Sequence, residues 1–135
     1  MKLKLILSQF YNILHILFFL SIINTTTLDT ALGQCEIHIF NNDHQSSLIE
    51  KTIIEYADEV VSKFGNINPT SYSLNITSNI KEFQKETYGR APEWSIAITM
   101  KKPNKIVMQS PSTAKISFKK LLQVLVHELN HIYLN

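Results

Sequence analysis

Hydrophobic and polar positions alternate with a period of two over residues 35–40. Ile37 and Ile39 fall on one side, and Glu36, His38 and Phe40 on the other, which predicts a strand. Asn41, Asn42 and Asp43 form a turn cluster, and the period then changes. Leu48, Ile49, Ile53, Tyr56, Ala57, Val60, Val61 and Phe64 recur at steps of three and four, which predicts an amphipathic helix ended by Gly65. Ser46 or Ser47 is the expected cap, with Glu50 three residues beyond Ser47 in a capping-box pattern. Alternation returns at Tyr72, Leu74 and Ile76, a second strand. Residues 78–88 place Ile80, Phe83, Gln84 and Tyr88 on one helical face, and Gly89 closes that helix. Residues 94–100 and 105–109 read as strands joined in a hairpin by a turn containing Pro103. Residues 111–115 read as a loop, and Ser117 as the cap of a last helix. The order strand, helix, strand, helix, strand, strand, helix predicts an α+β fold: a small mixed or antiparallel sheet packed by helices.

The N-terminal pattern differs. Lys2 and Lys4 precede an apolar run over residues 13–23, broken only by His15 and Ser21. That length suits the core of an export signal and falls short of the roughly 20 residues that span a bilayer. Ala31 and Gly33 place small residues at the two positions a signal peptidase reads. The expected organisation is a signal peptide over residues 1–33 and a mature domain over residues 34–135, exported to the outside or the periplasm. The alternative is an uncleaved first segment that anchors the chain in a membrane. Cys35 is the single cysteine, which excludes an intrachain disulfide and a cysteine-based zinc knuckle. Gln34 before it argues against acylation, which needs small residues there.

Composition narrows the field further. With 135 residues, the chain has room for one domain. Its 44% hydrophobic and 18% charged residues exclude disorder by composition. A formal net charge of +2 gives no electrostatic basis for a nucleic-acid partner. Asn75, Ile76 and Thr77 match a glycosylation sequon, inside a predicted strand.

Candidate chemistry lies in the last helix, SFKKLLQVLVHELNHIYLN. Leu121, Leu122, Val124, Leu125, Val126, Leu129, Ile132 and Tyr133 cover nearly its whole circumference, which predicts burial on all sides. Into it the sequence places His127, Glu128 and His131, groups that are costly in a core unless paired or bound. Four residues are about 1.1 helical turns, so the two histidines share a face and can offer two imidazoles to one Zn2+ ion. Glu128, about 100° round the helix from His127, can reach a water on that ion without ligating it and act as general base. The reaction expected is hydrolysis of a peptide or protein substrate. The alternative reading makes His127 and His131 ordinary core or surface residues and Glu128 a solvated charge.

The chain resembles zincin metallopeptidases of the gluzincin type, and within them peptidase MA-like domains. The resemblance rests on Phe83 and Gln84 before Tyr88 and Gly89, then EWSIAITMKKPNKIVMQSP, then LLQVLVHELNH, and covers roughly residues 35–135. Only the last stretch is specific. The resemblance implies a zincin-like N-terminal subdomain ending in the HExxH helix, with His127 and His131 as zinc ligands and Glu128 as base. It also implies that residues 95–100 or 105–109 edge a substrate cleft and pair with an extended peptide. A third zinc ligand is implied too, a glutamate on a following helix, and no such residue follows His131. Upstream substitutes are Glu36, His38, Asp43, His44, Glu86 and Glu93. The expectation is therefore the N-terminal part of a metallopeptidase domain that needs a complementary chain for its third ligand. The alternative is a catalytically inactive truncated remnant, or an exported binding module with weak or no metal binding.

Overall fold

The computed structural model describes residues 24–39, 45–65 and 68–133. Two strands open it, β1 (Asn24–Thr30) and β2 (Gly33–Ile39), followed by helix α1 (Ser46–Phe64) and strand β3 (Tyr72–Thr77). A short helix α2 (Ile80–Glu86) leads to the pair β4 (Ala97–Lys101) and β5 (Asn104–Gln109). One turn of helix, α3 (Pro111–Ala114), precedes the long α4 (Phe118–Tyr133). The strands form one mixed sheet in the order β1-β2-β3-β5-β4. β1 with β2 and β4 with β5 are antiparallel, whereas β3 runs parallel to both β2 and β5. The fold class is thus mixed α+β, a five-stranded sheet packed by helices.

Alternation along the strands gives the sheet two different faces. Ile37, Ile39, Leu74, Ile76, Ile106 and Met108 form the main core with Ile49, Ile53, Ala57 and Val60 of α1 and Leu121, Leu125 and Leu129 of α4. Removing each of these side chains other than Ala57 from water contributes about 1.5–3 kcal/mol. The opposite face carries a smaller cluster of Phe83, Ala91, Met100 and Val107. It also carries polar side chains of β2 and β3, including Glu36, His38 and Asn75.

Several expected boundaries move for identifiable reasons. The expected cap on α1 is not used: its N-cap is Gln45, with no side-chain capping bond, and Ser46 and Ser47 lie inside the helix. α2 starts later than expected, because Asn79 Oδ1 accepts from Glu82 N at 2.9 Å while Glu82 Oε2 accepts from Ser78 N at 3.0 Å. β4 begins at Ala97 rather than Trp94, since Ser95 N donates to Pro92 O in a turn. Trp94 is left 84% exposed. Residues 111–115, expected as loop, hold α3, capped by Ser110. Ser117 caps α4 as expected, its Oγ accepting from Lys120 N at 3.2 Å.

A strand that the sequence pattern does not predict lies before β2. Residues 24–33 were expected to end the signal peptide. In the structure β1 pairs with β2 along its length, from Asn24 opposite Ile39 to Thr30 opposite Gly33. Leu32, between them, is fully buried in the main core. Gly33 has φ 121°, and a Cβ there would lie 2.1 Å from the Thr70 carbonyl oxygen, so only glycine fits this crossing. The apolar run over residues 13–23, and Asp43 and His44, lie outside the described residues.

Candidate metal centre

α4 is positioned by one face. Leu121, Leu125, Leu129 and Tyr133 point into the core at steps of four, and Glu128 is buried beside them. The helix is therefore amphipathic, not buried all round as its composition suggested. Leu122, Val124, Val126 and Ile132 are half-buried flanks, while His127 and His131 are exposed. Tyrosines fasten the helix at its C-terminal end. The Tyr56 hydroxyl donates to Asn130 Oδ1, and the Tyr133 hydroxyl donates to the Tyr72 hydroxyl at 3.1 Å. Desolvation raises the pKa of all three phenols, so they stay neutral hydrogen-bonding groups.

The two imidazoles converge. Nε2 of His127 and Nε2 of His131 are 3.2 Å apart, with the rings edge to face. A tetrahedral zinc ion with Zn–N bonds of 2.0–2.1 Å holds two of its nitrogens about 3.3 Å apart. The same distance is that of a hydrogen bond between the two rings, one nitrogen donating and the other accepting according to tautomer, so the pair is compatible with either arrangement.

Glu128 reaches β4. Its Oε2 accepts a hydrogen bond from Thr99 Oγ1 at 2.6 Å, and its backbone carbonyl lies 3.2 Å from the same hydroxyl. Only 7% of the residue is exposed. Ala97, Ile98, Thr99, Lys101, Glu128 and His131 line a cleft of about 470 Å³ between β4 and α4. β4 is the edge strand of the sheet, so one side of its backbone pairs with no other strand. The cleft combines an exposed imidazole, a buried carboxylate and a strand edge.

The other candidate ligands are elsewhere. Glu36 Oε1 and His38 Nε2 lie 3.4 Å apart on the opposite face of the sheet. Glu86 is engaged there by Lys105 Nζ at 3.0 Å and by Asn75 Nδ2 at 2.8 Å. Glu93 is exposed in the turn before β4. Among the described residues, no group of three His, Cys, Asp or Glu side chains is arranged to hold a metal. His127 and His131 come together; none of the described upstream residues completes a third position.

Thr99 and Lys101 escaped the sequence reading. A signal for them existed in the alternation of residues 97–101, which puts Ala97, Thr99 and Lys101 on the side facing the last helix. Asn75, the sequon residue, is only 8% exposed, and its amide nitrogen is committed to Glu86, so the folded chain offers no room for a glycan there. Cys35 is also inaccessible, fully buried beside Tyr72. Comparison with protein-family models, with curated proteins and with solved structures finds no match to this chain.

Proposed function

We propose that this chain is a zincin-like, zinc-dependent metallopeptidase domain, with His127 and His131 as zinc ligands and Glu128 as general base. The observation that carries the reading is the 3.2 Å separation of the two Nε2 atoms. The buried Glu128 beside the same cleft supports it, as does the edge position of β4. A bound zinc ion supplies Lewis acidity to a water molecule and to a peptide carbonyl. The two histidines hold the ion, and His131 lines the cleft. Glu128 accepts the proton of the attacking water and later delivers it to the leaving amine. The edge of β4 offers backbone hydrogen bonds to an extended peptide.

Catalytic zinc sites use three protein ligands and water. With two ligands among the described residues, the proposed active form draws the third from a complementary segment or partner chain. The same fact favours a second reading, a non-catalytic module with at most a weak metal site. Export, or anchoring by the first segment, belongs to the proposal as well; among the described residues no helix is long and apolar enough to cross a membrane.

Calorimetry and peptide hydrolysis test both readings. Zinc should bind the full chain with one-to-one stoichiometry, and the heat should vanish in the double variant His127→Ala/His131→Ala. Turnover of a mixed peptide substrate should disappear in Glu128→Gln while zinc binding persists. Zinc bound without turnover supports the non-catalytic module, and no zinc-specific heat removes the peptidase reading.

A further inference from the structure

We infer that Thr99 is a positioning residue for Glu128, fixing one carboxylate oxygen so that the other is presented to the cleft. The inference rests on the peptidase reading and adds a residue that the HExxH pattern does not contain. Thr99 lies in the middle of β4, and its hydroxyl has one proton to give. At 2.6 Å, Glu128 Oε2 is the closer of its two acceptors. Glu128 has three rotatable side-chain bonds and would otherwise sample several rotamers. Held at Oε2, with its backbone carbonyl against the same hydroxyl, it is left with Oε1 as the base oxygen. The ordering is then complete before substrate arrives, which is what preorganisation requires. The bond also joins the general base to the edge strand. A peptide lying along β4 is therefore placed relative to Glu128 by the residue it pairs beside.

The alternative is that Thr99 only ties α4 to β4. Two measurements separate the roles. In the zinc-loaded full chain, Thr99→Val should lower kcat about tenfold or more, with KM and zinc affinity changed less than about twofold. Thr99→Ser, which keeps the hydroxyl, should retain most of kcat. Thr99→Ala serves in place of the valine variant if that chain does not fold. In the zinc-free protein, Thr99→Val and Glu128→Ala should be coupled in a double-mutant cycle of stability. Absence of coupling overturns the inference, as does a kcat that Thr99→Val leaves unchanged in an active wild type. Equal loss of kcat in the serine and valine variants also overturns it. A wild type that binds zinc but cleaves nothing instead brings down the peptidase reading, and this role with it.

Discussion

Lys105 shows how a charge is held within the sheet. Its Nζ lies 3.0 Å from Glu86 Oε2 and 5.2 Å from the centre of the Tyr88 ring, and Asn75 donates to the same carboxylate oxygen. Desolvation alone would raise the Glu86 pKa. The hydrogen bond and charge of Lys105, then the Asn75 amide, outweigh it and hold the carboxyl below its ordinary 4.5. A carboxyl depressed in the folded state stabilises the fold above its unfolded pKa, because the unfolded chain then binds more protons as acid is added. That contribution is lost as pH falls below about 4.3 and through the lower folded value. Urea midpoints measured from roughly pH 7 down to pH 3 should therefore fall through this window. Lys105→Met should lose about 2 kcal/mol at neutral pH and show a flatter acid limb. An unchanged slope would detach the pH dependence from this pair. Cys35 makes a simpler case. Burial, partly offset by a hydrogen bond with Tyr72, pushes its thiol to about 11. It should resist a thiol-specific reagent in the folded chain and react once urea unfolds it. Fast labelling of the native protein would show that β2 is open where the structure has it covered.

At the scale of the elements, the apolar spacing of α4 carries the most information and also misleads. Its eight apolar residues suggested burial all round, yet only those in register with the sheet are covered. Leu125 is 1% exposed, whereas Val126, the next residue, lies half-exposed over a groove with Thr52, Lys119, Leu122 and Gln123. Periodicity locates a helix; which arc faces the sheet depends on the strands it meets, and that is tertiary. Leu125→Ala should cost about 3 kcal/mol in denaturant melts, and Val126→Ala less than about 1 kcal/mol. Equal losses would mean that α4 is rotated from the orientation described. The same rotation sets the site. His127 and His131 were legible as a pair because four residues nearly complete a turn. The partner of the buried Glu128 was not legible, because Thr99 lies 29 residues earlier in the chain. β3 and the β4–β5 hairpin were readable from alternation and Pro103. The cap on α1 was not, because Ser46 and Ser47 fit a motif that the helix start does not use.

For the whole molecule, the sheet order is the part that local pattern leaves open. Nothing in the alternation of β3 says that β2 and β5 flank it in parallel, since those pairings join segments separated by helices. β1 was hidden for a different reason. Asn24–Thr30 is polar and threonine-rich, and it follows an apolar run that reads as an export signal, so its β-branched residues looked like the end of a leader. The structure gives that tract three tasks. It pairs with β2, it carries Leu32 into the core, and the Leu32 carbonyl accepts from Thr70 N at 2.7 Å beside the Gly33 crossing. Removing residues 1–33 would expose the edge of β2 and empty the Leu32 position. Burial of Leu32 alone contributes roughly 2–3 kcal/mol, and an uncovered β2 edge invites pairing between chains. A chain starting at Gln34 should therefore unfold at lower urea concentration than one starting at Asn24, by more than about 3 kcal/mol. It should also associate at concentrations where the longer chain stays monomeric. Equal midpoints would make β1 dispensable and leave processing after Gly33 compatible with a stable domain. A large loss would make that cut a cut through the fold, and would oblige any processing of the first segment to fall before Asn24.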